Sequence, residues 1–333
     1  MRIGSSDIRR RIEAQKSGRL TGKTWRVLFV VSLILLVLCM SGCGGGGGDS
    51  SGGGSSGGKD SKKEAGYKAP KFKDASFNEG EAQEGNGAAI DLSSADEGYV
   101  AVSANSGSRL KFQVIKGDDT YTYDIDSDGT PSIFPLQCGD GTYQFKVMEN
   151  IVDNKYAEMY TTSKDVSLKN EFQPFLRPSD YVDYSKKSEC VEKAKEIAAK
   201  AESEVDVVAG VYDYVCKNVT YDDEKAATVQ SGYLPDPDET MRTGKGICFD
   251  YASLAAALLR SQGIPCKVVF GYVAPDDLYH AWNMFYTKET GWVTVGFEVD
   301  KKNWTRMDLT FSANGADSEF IGDGSHYSDV YVY

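Results

Sequence analysis

Between residues 168 and 185 the hydrophobic period of this chain changes, and the change divides whatever it folds into. From about Ile90 to Leu168 apolar and polar side chains alternate. Leu110, Phe112 and Val114 flank Lys111 and Gln113; Tyr121, Tyr123 and Ile125 repeat the pattern, as do Tyr143, Phe145 and Val147. A period of two places each set on one face of a strand. Turn formers separate the sets, with GDD at 117–119, DSDG at 126–129 and GDG at 139–141, so an all-β sandwich is expected. From Ser185 the spacing becomes helical: Val191, Ala194, Ile197, Ala198 and Ala201 form one stripe. Ser203 and Asp206 then open a second helix in the manner of a capping box, with Val205, Val208, Tyr212 and Val215 inward and Cys216 on the same packed face.

DIDSDG, residues 124–129, has the opening of a calcium loop, but Pro135 occupies the position where such a loop needs a bidentate Glu. The segment also lies between strand patterns, which favours a hairpin turn.

The N-terminus reads as a targeting segment. A basic stretch ending in RLTGKTWR precedes Val27–Met40, fourteen residues with only Ser32 polar. That run is shorter than the roughly 20 residues a spanning helix needs, and it suits the apolar region of a signal peptide. Ser41 and Gly42 before Cys43 resemble a bacterial lipobox, with Met40 where Leu is usual. The resemblance implies a diacylated Cys43 as mature N-terminus, hence an extracytoplasmic, membrane-anchored lipoprotein. Residues 44–58, GGGGGDSSGGGSSGG, can bury nothing and read as a flexible leash.

The formal net charge is −12, and the first 26 residues, with eight Lys/Arg against two acids, leave a body at −18. Such a body lacks the clustered cations that phosphate contacts require, which excludes a nucleic-acid partner. Beyond Cys43 it holds Cys138, Cys190, Cys216, Cys248 and Cys266, an odd number, so at least one thiol stays unpaired within the monomer.

Chemistry concentrates in GKGICFDYASLAAALLRSQGIP, residues 244–265. Apolar positions 251, 254, 255, 258 and 259 indicate a buried helix stopped by Gly263 and Pro265. Cys248 then falls in the first turn, where unpaired N–H groups and the dipole favour a thiolate and can hold an oxyanion. A thiolate for acyl transfer needs a proton carrier, and the chain has two histidines. His326 lies in a polar turn, GDGSHYSD, and reads as solvated. His280 opens a strand-like run, HAWNMFY, and Asp308 sits in the next, WTRMDLTF, among apolar neighbours that leave an acid in want of a partner. Zinc is a poor competitor, with no C-x-x-C pair and one histidine near. The stretch 218–245 reads as a long functional loop.

GKGICFDYA, YHAW and RMDLT resemble the three motifs of the transglutaminase-like superfamily, relatives of papain-type thiol enzymes, and VYDYVCKNVTYD and YLPDPDETMRTGKG resemble the lead-in of bacterial members. The resemblance spans about residues 185–312. It implies Cys248 as nucleophile, His280 as general base and acid, and Asp308 as orienter, with Tyr221 and Gln230 as candidate oxyanion donors. Leu309 replaces a frequent proline, and Met284 stands where an acid often follows the His-Ala-Trp run; neither touches the triad. The implied fold is α+β, a Cys-bearing helix packed on an antiparallel sheet, preceded by the small sandwich. The expected organisation is a signal peptide at 1–42, lipidated Cys and linker at 43–75, sandwich at 76–178 and catalytic domain at 179–333. The reaction implied is acyl transfer from a protein or peptide amide, such as a cell-wall or surface peptide, through a thioester. Hydrolysis is favoured over transfer to an amine, and a non-catalytic surface binding module is the rival class. No metal or organic cofactor is implied.

Overall fold

A computed structural model describes residues 66–288, 291–294, 297–299, 303–316, 321 and 324–333, the two ranges between 291 and 299 as backbone only. The leader, Cys43 and the glycine-rich leash lie outside the described residues. No helix among the described residues is long and apolar enough to cross a membrane.

Eight strands form two antiparallel sheets. They are β1 (Ala82–Gly85), β2 (Ala88–Asp91), β3 (Tyr99–Ala104), β4 (Leu110–Lys116), β5 (Asp119–Ile125), β6 (Ser132–Pro135), β7 (Gly141–Val152) and β8 (Lys155–Val166). Their orders are β1-β2-β3-β6 and β5-β4-β7-β8. The alternation read along β4 and β7 is the cause: Leu110, Phe112, Val114, Tyr143, Phe145 and Val147 are all buried. They meet Ile90, Val100, Val102 and Phe134 of the other sheet, with Phe112 and Phe134 rings 5.1 Å apart.

The turn at 126–131 is a correction. It joins β5 of one sheet to β6 of the other and is therefore a corner between sheets, not a hairpin. Asp128 Oδ1 accepts from the Thr130 N–H at 2.9 Å, a local turn bond that shapes the corner.

The second part begins with α1 (Glu189–Ala198) and α2 (Glu204–Asn218). Ser203 caps α2 by accepting from the Asp206 N–H, and Asp206 reaches back to the Glu202 N–H, each bond 3.1 Å. The stretch 218–245 is not one structureless loop. It carries β9 (Thr220–Tyr221), α3 (Asp223–Thr228), α4 (Pro237–Thr243) and the start of β10 (Lys245–Gly246), because Asp222 and Asp236 cap helix starts that turn frequency alone concealed. Then come α5 (Cys248–Ser261), β11 (Cys266–Val273), β12 (Leu278–Phe285), the β13 (Gly291–Thr294) and β14 (Phe297–Val299) hairpin, β15 (Thr305–Met307), α6 (Leu309–Ala313) and β16 (Tyr327–Val332). The antiparallel sheet runs β15-β12-β11-β16.

Nearly all of α5 is buried, consistent with its apolar run, and Asn283 of β12 fixes it to the sheet. The Asn283 amide donates to Ala252 O at 2.9 Å and to Lys267 O at 3.1 Å. Aromatic rings tie the sandwich to this layer: Tyr123 touches Tyr181 and Tyr333, and Tyr181 touches Phe249 of α5 at 5.3 Å. The fold is α+β, as its motifs implied, and the described residues make one compact unit.

Asp180 lies on the strap between the sandwich and α1. Its Oδ1 accepts from the Ile133 N–H at 2.9 Å. Burial pushes its carboxyl up to about 6, against the hydrogen bonds from Ile133 and Ser132. A folded-state pKa above the unfolded value means the fold prefers the neutral acid. Stability from this group is therefore greatest below about pH 4 and falls as pH rises through 6. Asp180→Asn is expected to raise the melting temperature at pH 7 by about 5 °C, with the gain vanishing by pH 4. A scan of both proteins at the two pH values checks it; equal melting at pH 7 contradicts it.

Candidate active site

Cys248 is the first residue of α5 and is half-buried. Its backbone N–H is among those a helix start cannot pair internally. The turn before it is shaped by Asp250, wholly buried, whose Oδ2 accepts from the Ile247 N–H at 2.7 Å. Gly246 is required for that return: a Cβ there would sit 2.5 Å from the Asp250 Cβ. Asp250 Oδ1 also accepts from Lys225 Nζ at 2.9 Å and from the Tyr233 hydroxyl. The start of α5 is thus pinned to α3 and to the segment after it.

His280 lies on β12, 3% exposed, opposite Gly271 of β11. Only glycine fits at 271, since a Cβ would meet the Ser328 carbonyl at 2.0 Å and Trp282 at 2.8 Å. The imidazole stacks on Phe311, centroids 4.5 Å apart. Its Nε2 lies 2.8 Å from Asp308 Oδ2, which leaves Nδ1 as the ring nitrogen for Cys248, which lines the same cleft. Burial works against a charged ring, but the Asp308 carboxylate, the bond to it and the Cys248 thiol outweigh burial, and the pKa is pushed up to about 10.

Asp308 corrects one expectation. The run WTRMDLTF is not a single strand: β15 ends at Met307, and Asp308 is the N-cap of α6, with Oδ1 accepting from the Phe311 N–H at 2.9 Å. Aspartate's capping preference explains the switch, and the cap holds the other oxygen toward His280. That oxygen, Oδ2, also accepts from the Tyr327 hydroxyl at 3.0 Å.

A cleft of about 280 Å³ opens over Cys248 and His280, walled by Val229, Ile247, Phe249, Phe270, Leu278 and Tyr279 among others. Tyr221 and Gln230 both line it. Burial, then Cys248 nearby, raise the Tyr221 hydroxyl, which therefore stays a donor. Gln230 is exposed at the rim, and its amide donates to Thr228 O at 2.6 Å. His326 is half-buried in the turn before β16, where its carbonyl accepts from the Ala274 N–H, and it is not among the cleft residues. The other cysteines, Cys138, Cys190, Cys216 and Cys266, are free thiols whose pKa values burial raises, Cys138 to about 11 and Cys216 and Cys266 to about 12.

Sequence reasoning missed Asn283, Tyr327 and the Lys225–Tyr233–Asp250 cluster. Asp250 could have been found by the argument applied to Asp308, an acid inside an apolar run. Tyr327, in a polar turn far along the chain, gave no signal.

An α+β domain with a Cys-His-Asp cluster at a helix start and sheet edge has papain/transglutaminase-like architecture. The model of the transglutaminase-like superfamily matches residues 191–297, which include Cys248 and His280 and end before Asp308, and this segment is a transglutaminase-like core. A UPF0252 protein of Methanocaldococcus jannaschii is 32% identical over 81 residues, 22% of this chain and 23% of that protein. The kyphoscoliosis peptidase of Mus musculus is 29% identical over 110 residues, 30% of this chain and 16% of that protein. The chain thus spans less than a quarter of either curated relative. Among solved structures, a candidate cysteine protease from Cytophaga hutchinsonii has a TM-score of 0.37 at 17% identity, covering 69% of this chain and 80% of that one. Red sea bream transglutaminase has a TM-score of 0.29 at 13% identity, covering 64% and 48%.

Proposed function

We propose that the chain is a membrane-anchored, extracytoplasmic thiol enzyme that cleaves peptide or isopeptide amides through a Cys248 thioester. The observation that carries the reading is one ring, His280, held by Asp308 on Nε2 and lining one cleft with Cys248 at the start of α5. In the proposed reaction the Cys248 sulfur attacks the amide carbonyl carbon. The oxyanion forms at the start of α5, facing the Cys248 N–H, with Tyr221 and Gln230 as candidate further donors. As the C–N bond breaks, His280 Nδ1 gives its proton to the leaving amine. Water then attacks the thioester, its proton passing to Nδ1, and the C–S bond breaks to release the acid and restore the thiolate.

Two features favour a particular substrate and acceptor. The cleft wall beside Cys248 is aliphatic and aromatic, and no Lys, Arg, Asp or Glu lines it among the described residues, so an uncharged, apolar acyl side chain fits best. Water is the default acceptor of an acyl-enzyme, whereas an amine needs a site that excludes water, and the mouse relative is named a peptidase.

The test is exposure of the full chain to surface proteins and wall peptides with a labelled amine. Cys248-dependent new termini, or ammonia released without amine incorporation, support hydrolysis. Amine incorporation abolished by Cys248→Ala would establish a transglutaminase instead, and neither product over a broad panel favours a binding module. The anchor is tested separately: wild type should partition into detergent and Cys43→Ser should not, since two acyl chains anchor stably.

A further inference from the structure

We propose that Tyr327 is a positioning residue of this centre, holding the Asp308 carboxylate and moderating its pull on His280. The inference rests on reading Cys248, His280 and Asp308 as a thiol centre and adds a fourth residue to it. The Tyr327 hydroxyl donates to Asp308 Oδ2 at 3.0 Å, the same oxygen that faces His280 Nε2 at 2.8 Å. Two donors on one oxygen share its charge, so each weakens the other's bond. With the Phe311 N–H on Oδ1, both oxygens are held and the carboxylate has one orientation.

The ring that carries this hydroxyl is itself fixed. Trp282 meets it edge-on at 4.9 Å, and the Arg306 guanidinium lies 4.7 Å from its centroid. Burial, and then the Asp308 charge, keep the phenol protonated well beyond its ordinary range, so it acts as a donor only. The titratable groups around the centre are Cys248 from α5, Tyr212 and Cys216 from α2, both of which feel Asp308, and Arg306 from β15, paired with Asp329 of β16. The Tyr327 hydroxyl bonds Asp308 Oδ2 directly, beside His280.

Removing the hydroxyl returns charge to Oδ2 and strengthens the hold on the imidazolium. The His280 pKa should then rise, whereas a purely structural role would leave it or lower it as packing loosens. The measurement is an NMR titration of ¹³C-labelled histidine in the full chain carrying His326→Gln, which leaves one signal, and Cys248→Ala, which removes the coupled thiol. Tyr327→Phe is expected to raise the His280 pKa by about half to one unit. Difluorotyrosine at 327, a stronger donor of nearly the same shape, should lower it, and this arm serves if the phenylalanine variant does not fold. No shift in either variant, or a fall in Tyr327→Phe, overturns the proposal. Failure of the underlying centre reads out elsewhere: in the otherwise native chain Cys248 would then alkylate no faster than a free thiol.

Discussion

Lys225→Met is expected to destabilise the protein by about 2–3 kcal/mol, measured as the shift in urea unfolding. Asp250 is wholly buried, and Lys225, with its side chain 30% exposed, is its charged partner. Removing one member of such a pair leaves an uncompensated buried charge, which costs more than the intact pair contributes. The loss should fall short of the deepest pairs because Lys225 reaches solvent and because the Ile247 N–H and the Tyr233 hydroxyl remain on the carboxylate. Adding Asp250→Asn removes the stranded charge and should recover at least half. A single variant that unfolds at the wild-type midpoint would show that the pair is replaced by water at no cost.

The second large effect is on reactivity. In Asp308→Ala, alkylation of Cys248 by iodoacetamide at pH 6–7 should slow by about 10–100-fold. The sign follows from the ring. Burial alone lowers the His280 pKa, and the Asp308 carboxylate is the largest of the influences that raise it to about 10. Without that carboxylate the effect of burial prevails, the ring holds its proton less tightly, and the Cys248 sulfur loses its cation. Asp308→Asn keeps an acceptor for the Phe311 N–H and should fall between the two. Equal rates in all three proteins would separate Asp308 from the thiol altogether.

Much of this site could be read from residue order. Cys248, His280 and Asp308 were legible because each is chemically odd where it stands: a thiol at a helix start, a histidine within an apolar strand, an acid among apolar neighbours. The sandwich was legible because β4 and β7 bury one face strictly. Legibility ended where tertiary contacts decide. The 126–131 turn has hairpin residues, yet β6 pairs with β3 in the other sheet, a choice made by core packing rather than by the turn. The strand before Asp308 stops at Met307 because the Asp308 side chain caps a five-residue helix, a bond that short-range periodicity cannot register. The long stretch 218–245 looked like a loop because its elements are short, and its role in walling the cleft depends on the Lys225–Asp250 pair, 25 residues apart.

The account stands on Cys248 being a nucleophile activated by His280, and the most direct test is residue-resolved alkylation of the native chain at pH 6. Mass spectrometry after brief iodoacetamide treatment reports every cysteine at once. Burial keeps Cys138, Cys190, Cys216 and Cys266 as thiols far above that pH. The expected result is modification of Cys248 ahead of these four, at about 100 times the rate of a free thiol in solution. A Cys248 that reacts no faster than such a thiol would contradict it.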